Sequence, residues 1–263
     1  MRKKHLLYIV CILTGLGACA ASWKKQTEVG PEVWNKYNVG TILFEDKAQG
    51  TKGSDIYHRI IPNAKSYIKE QARTVLATLY NSPDDSIAPV NKIHYTLEDI
   101  EGVSAKGGDH GDITIFYSTR HIEKSFAEKD TAKLFFETRG VLLHELTHAY
   151  QLEPQRIGSY GTNRVFWAFI EGMADAVRVA NGGFGPDARP KGGNYMDGYR
   201  TAGYFFVWLR DNKDPEFLRK FNRSTLEVIP WSFDKAIKHI LGKEYNIDEL
   251  WHEYQVAVGD IQV

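Results

Sequence analysis

Two histidines and a glutamate carry the first chemistry the chain offers, in the stretch His144-Glu145-Leu146-Thr147-His148. On an α-helix each residue advances about 100°, so positions four apart return to one face. His144 and His148 can then point two imidazole nitrogens at one metal ion, with Glu145 one step round the helix beside it. Two neutral nitrogen ligands and an adjacent carboxylate are what a zinc hydrolase needs. The metal makes water acidic near neutral pH, and the carboxylate takes its proton as general base. A third candidate ligand follows 23 positions after His148, at Glu171, which could complete a His₂Glu shell and leave one coordination position open. Asp175 lies four residues further along the same face, placed to accept a hydrogen bond from the outer nitrogen of a ligating histidine. The bland alternatives are two satisfied core histidines, a helix-start carboxylate for Glu171, and an exposed charge or an ion pair with Arg178 for Asp175.

These side chains require two packed helices to hold them. Val141, Leu142, Leu143, Leu146 and Ala149 make the first apolar enough to be buried over Thr131 to Gln151, where unpartnered histidines would be costly. The second spans Val165 to Val179 and is stopped by Asn181-Gly182-Gly183. Gly140 weakens the first helix and lets another chain segment approach. Between them, residues 152–163 read as a returning loop.

Upstream, 40–46, 92–97 and 112–117 read as strands. Residues 49–55 and 106–111 read as turn-rich connections, and 56–80 as one helix with Pro62 in its first turn. An exposed edge at 112–118 would let an extended peptide add as a further strand. His94, His110 and His121 read as surface or turn residues. Downstream, 184–194 is a Gly/Pro-rich excursion of the kind that can rim a site. Residues 197–210 form an aromatic helix whose Tyr199 is a candidate donor to a developing oxyanion, or equally a plain core or rim residue. Three short amphipathic helices over 215–221, 232–241 and 247–258 close the chain. The pattern is α+β: a small mixed sheet on the N-terminal side packed on a mostly helical C-terminal half.

The chain has 263 residues, 43% of them hydrophobic, with 33 basic and 33 acidic side chains. That balance offers nothing to attract nucleic acid. Residues 1–19 resemble an export signal, with Arg2, Lys3 and Lys4 ahead of a short apolar run ending in Leu16-Gly17-Ala18-Cys19. That ending resembles a bacterial lipobox, in which Cys19 becomes the lipid-modified first residue. An ordinary signal with cleavage near Ala20 or Ala21 is the alternative. Without residues 1–19 the chain keeps 33 acidic and 30 basic side chains, and no cysteine for a disulfide or a metal. Residues 20–38 then read as a tether and 39–263 as one domain. The expected setting is an exported lipoprotein of the bacterial cell envelope, touching a membrane only through its N-terminal lipid.

The stretches His144-Glu145-Leu146-Thr147-His148-Ala149-Tyr150-Gln151 and Glu171-Gly172-Met173-Ala174-Asp175-Ala176-Val177-Arg178 together resemble the basic secretory protein family of plants and bacteria. Supporting matches are Asp112-Ile113-Thr114-Ile115, Gly198-Tyr199-Arg200-Thr201-Ala202 and Asp248-Glu249-Leu250-Trp251-His252-Glu253-Tyr254. The resemblance spans about residues 40–258. It implies a zincin-like fold and a zinc peptidase of the glutamate-ligand type. One Zn²⁺ would be held by His144, His148 and Glu171, Glu145 would act as general base, and the substrate would be a peptide or protein. The family's basic charge does not carry over to this slightly acidic chain. Two other readings stand beside the enzyme: a lipid-anchored scaffold that binds peptide or glycan without cleaving it, and a structural metal site. The second fits poorly, because structural zinc usually takes four protein ligands.

Overall fold

A computed structural model describes residues 31–125 and 130–262. Cys19, the export signal and most of the expected tether lie outside the described residues. The fold begins earlier than residue 39. Pro31–Lys36 forms a 3₁₀ turn whose Trp34 is fully buried, and Arg73 on a core helix donates to the Asn35 carbonyl. The indole gains more by burial than a tether gains by staying solvated, so residues 31–38 are part of the domain.

Four strands make one mixed sheet: β1 (Thr41–Asp46), β2 (Lys92–Glu98), β3 (Ser104–Asp109) and β4 (Asp112–Ser118), in the order β1-β2-β4-β3. β1, β2 and β4 run parallel, with Thr41 opposite Lys92 and Lys92 opposite Asp112; β3 pairs antiparallel with β4. The 106–111 stretch is therefore not a free turn. Residues 106–109 are strand, and only His110 and Gly111 make the bend, both at positive φ. It follows that 112–118 is not an edge. β4 is paired on both sides, and the edge strands of the sheet are β1 and β3.

Between β1 and β2 the chain forms two helices, α1 (Lys52–Ile60) and α2 (Ala64–Leu79), where one was expected. Proline disfavours helical geometry in the residue before it. Ile61 accordingly leaves the helix, with φ −124° and ψ 73°, and Asn63 caps the restart by accepting from the Ser66 amide. The turn-like residues 52–55 start α1 because Thr51 caps them. Gly53 is needed there: a Cβ would lie 2.2 Å from the Thr119 carbonyl oxygen. A short α3 (Thr119–Ser125), not foreseen from the sequence, follows β4.

The C-terminal half is helical as expected: α4 (Thr131–Tyr150), α5 (Arg164–Ala180), α6 (Tyr199–Asn212), α7 (Phe217–Glu227), α8 (Phe233–Leu241) and α9 (Ile247–Ala257). Asp130 caps α4 and Asn163 caps α5, each accepting backbone N–H groups of the first turn. Phe169, Phe206, Phe221, Trp231 and Phe233 interlock at ring separations of 4.8–6.1 Å, the offset and edge contacts aromatic rings prefer. α5 and α6 approach closely. A Cβ on Gly172 would lie 2.7 Å from the Ala202 Cβ, and one on Gly203 would lie 2.9 Å from the Ala176 amide nitrogen and the Asp175 Cβ. This contact holds the site's second helix in place from behind.

Candidate metal centre

His144 and His148 stand one turn apart on α4, their rings perpendicular and 4.6 Å between centroids. Their Nε2 atoms are 3.0 Å apart. From α5, Glu171 brings its Oε2 to 3.3 Å from the His144 Nε2 and 3.7 Å from the His148 Nε2. Three potential ligand atoms thus converge, all within 4.8 Å of one another, and they are the only such group of three among the described residues. Glu171 is eight residues into α5 and 3% exposed, so it is not a solvated helix-start carboxylate.

The donor set fits a metal ion. Glu171 Oε2 is buried without a hydrogen-bond partner, while its Oε1 accepts from the Tyr160 hydroxyl at 2.6 Å. A buried carboxylate oxygen left unpaired is costly, and a cation among these three atoms would satisfy it. Two nitrogens and one oxygen suit Zn²⁺, which takes histidine and carboxylate ligands with a further position open.

Asp175 accepts from the other face of His144, its Oδ1 lying 2.7 Å from Nδ1. In the neutral ring, the form that binds a metal, that bond places the proton on Nδ1 and leaves the Nε2 lone pair facing the cluster. Asp175 does not pair with Arg178. Arg178 instead binds Glu137 at 2.7 Å and the Gly183 carbonyl, and its guanidinium fills the space that Gly140 leaves open.

Charges in the cluster are strongly coupled. Burial disfavours a charged His144, but the Asp175 bond and the Glu171 carboxylate 3.3 Å from Nε2 outweigh that and raise its pKa to about 10. Burial and the neighbouring His144 charge push His148 down to about 3. Burial alone would raise Glu171; the adjacent His144, the charges of both histidines and the Tyr160 bond hold it below the usual carboxylate range.

Glu145 is 6% exposed, reached by the Ser104 hydroxyl and the Lys106 backbone N–H of β3 and close enough to the cluster to feel the His144 and Glu171 charges. Burial raises its pKa and the Glu171 charge adds to the rise, against opposing pulls from His144, the Ser104 hydroxyl and the Lys106 backbone N–H. A carboxylate whose proton affinity is raised is a better proton acceptor for its task.

Tyr199 lies beside the cluster, stacked on the His144 ring at 6.0 Å with planes 12° apart, and edge-on to Trp167. Its backbone sits at φ 41°, just after Gly198 at φ 65°. A Cβ at Gly198 would meet the Trp167 ring at 2.8 Å and the Glu171 Cβ at 3.3 Å. Of the 184–194 excursion, Phe184 stacks on Arg178, Gly185 accepts from Tyr204, and Arg189 and Gly192 bind Asp260. The chain reaches the cluster just after that excursion, at Gly198. His94, His110 and His121 sit instead against Glu45, Asp109 and Glu137.

Two participants escape a reading of the sequence. Tyr160 lies in the 151–163 loop, where no periodicity singles it out. Gln151 ends α4 and lies 3 residues beyond His148, with its Nε2 drawn 2.8 Å from the His148 Nδ1. The one signal for Gln151 was the i, i+3 spacing that puts it on the face of His148.

The family model described as peptidase of plants and bacteria matches residues 39–254. No curated protein matches the chain. A candidate zinc-binding metallo-peptidase from Bacteroides caccae aligns over 92% of this chain and 97% of its own, at 12% identity and a TM-score of 0.21, too low to support any argument.

Proposed function

This chain belongs to that family of plant and bacterial peptidases, and on that premise we propose that it is a zinc-dependent hydrolase of peptide bonds. The observation that supports the reading most is the buried, partnerless Glu171 Oε2 facing two imidazole nitrogens. His144, His148 and Glu171 would hold the ion. When bound, zinc supplies Lewis acidity, making a water molecule acidic near neutral pH and polarising the scissile carbonyl.

The chain's own residues do the rest. Glu145 takes a proton from the attacking water and returns it to the departing amine. Asp175 keeps the His144 Nε2 free of hydrogen by holding the proton on Nδ1. Tyr160 steadies the Glu171 carboxylate through Oε1. Tyr199, against the His144 ring, is the proposed hydrogen-bond donor to the oxyanion. An extended peptide would lie along the open edge of β3, which brings its backbone past Glu145 beside Ser104 and Lys106. The protein is proposed to act outside the cytoplasm, held by a lipid on Cys19. Among the described residues no helix is long and apolar enough to cross a membrane.

Metal analysis of the purified protein, paired with digestion of a peptide library with and without chelator, tests the reading. Glu145→Gln should retain zinc and lose hydrolysis by about 10²- to 10⁴-fold. Cleavage at the wild-type rate by that variant removes Glu145 as the base, and a protein that takes up no zinc removes the proposal.

A further inference from the structure

The two histidines of the cluster are supported differently. His144 has a carboxylate behind it, whereas His148 has an amide. The Gln151 side chain is 4% exposed, with Nε2 drawn 2.8 Å from the His148 Nδ1 and Oε1 buried without a partner. Its place is fixed from both sides. The Gln151 N–H donates to the Thr147 carbonyl at 2.8 Å, ending α4, and the next residue's N–H donates to the fully buried Asn222 side chain at 2.8 Å. The backbone that carries the amide is therefore held, and the amide lies 2.8 Å from the His148 Nδ1 whichever way its two ends point.

Those two ends have opposite consequences. An NH₂ facing Nδ1 makes Nδ1 the acceptor and drives the ring proton onto Nε2, the atom turned towards His144 and Glu171. A carbonyl facing Nδ1 accepts its N–H and leaves the Nε2 lone pair free. The shapes are interchangeable, because a half-turn of the amide swaps nitrogen and oxygen without moving anything else. One amide end is left unpaired in either orientation, so the cost of the unpaired end does not choose between them. The demand of a cation for a free Nε2 does, since only the carbonyl-facing orientation leaves that lone pair open.

We propose that Gln151 is a positioning residue for metal binding. Its carbonyl oxygen accepts the Nδ1–H of His148, which holds that imidazole in the tautomer with Nε2 open to a divalent cation. The inference rests on the metal-site reading above and assigns the second histidine its orienting partner, as Asp175 serves the first. A neutral amide in place of a second carboxylate also keeps negative charge out of a pocket already holding Glu145, Glu171 and Asp175 (each under a tenth exposed).

The test uses the purified protein and two variants, with zinc affinity read by competition with a chromophoric chelator. Gln151→Leu preserves the side chain's bulk and removes both hydrogen-bonding ends; it should bind zinc about 10- to 100-fold more weakly. Gln151→Glu can accept but not donate, and should restore affinity to within about threefold of wild type. The opposite result, with Glu as damaging as Leu, overturns the proposal, since it would mean that the NH₂ end is the one in use. Zinc binding by a folded Leu variant at wild-type strength overturns it too. Long-range ¹⁵N–¹H correlation on chelator-treated protein gives a readout independent of metal. His148 should carry its proton on Nδ1, and a proton on Nε2 contradicts the assignment. Should the wild type take up no zinc, the hydrolase reading fails while this tautomer measurement still decides the role of Gln151.

Discussion

Behind the cluster, α5 meets α6 through Gly172, Ala202 and Gly203 with no space for one more carbon. In front of it, Tyr160 and Tyr199 are 47% and 46% exposed, and a Cβ added at Gly161 would meet nothing within 4 Å. The closed side presents the ligands: Glu171 and Asp175 sit on a helix that cannot shift without displacing a neighbouring backbone. The open side carries the groups that would meet a substrate. Rigidity and access are thus divided between two walls of one site, and a change should cost stability on one wall and binding or turnover on the other.

The largest effect should come from the closed wall's own ligand. Glu171→Ala removes one of three donors and should weaken zinc binding by about 10²- to 10³-fold, as expected when a share of the zinc binding energy is lost, in the chelator competition described above. Unchanged affinity would mean that the ion, if any, sits elsewhere and that the division of labour is illusory. Next, the two walls can be compared by the same exchange. Gly203→Ala must displace the Ala176 backbone, and after the helix gains from alanine it should cost about 1–2 kcal/mol, or roughly 2–8 °C in thermal midpoint. Gly161→Ala on the open wall should shift the midpoint by no more than about 2 °C. Equal shifts would show that the closed wall is not the stiffer one.

A smaller effect is expected at the join between the walls. Tyr160→Phe deletes the bond to Glu171 Oε1, worth about 1 kcal/mol at a half-exposed hydroxyl. It should weaken zinc about fivefold with little change in melting. A melting loss as large as that of Gly203→Ala would place Tyr160 with the closed wall.

The smallest concerns the strap that ties 184–194 to the C-terminus. Hydrogen bonding to Arg189 holds the Asp260 carboxyl below its ordinary value of 3.8, with the Gly192 amide assisting against burial. A depressed carboxylate contributes stability above its unfolded pKa and loses it as pH falls through the folded one. Melting followed from neutral pH to about pH 3 should show the wild type losing stability below pH 3.8. Asp260→Asn, already weaker at neutral pH, should have a shallower acid limb over the same range.

Much of this site could be read from spacing alone, because helices repeat. Once 131–151 and 165–179 are helices, His144 must share a face with His148, and Glu171 with Asp175. What spacing could not supply is anything decided by contact across the chain. Lys106-Gly107-Gly108 has the composition of a turn and becomes strand because β4 offers it a ladder. Residues 52–55 look like loop and become helix because Gly53 fits against Thr119. Pro62 is permitted in a first turn, yet here it divides two helices. Tyr160 gains its role only through a loop whose course no local pattern records. Trp34 reads as part of a tether, yet its turn packs on α2, at least 28 positions further along the chain, a contact too distant in sequence for any local pattern to show.

The entry of the chain into the domain has a mechanical consequence. Val39 lies three residues after the Trp34 turn ends at Lys36, and its carbonyl accepts a 2.7 Å bond from the hydroxyl of Tyr150, the last residue of α4. Tension applied from the N-terminal side would therefore be felt at the end of the helix that bears both imidazoles, with the Trp34 indole as its first anchor. Stretching by that end loads α4 early, while force applied from the C-terminal end must first undo the Arg189 strap and α9.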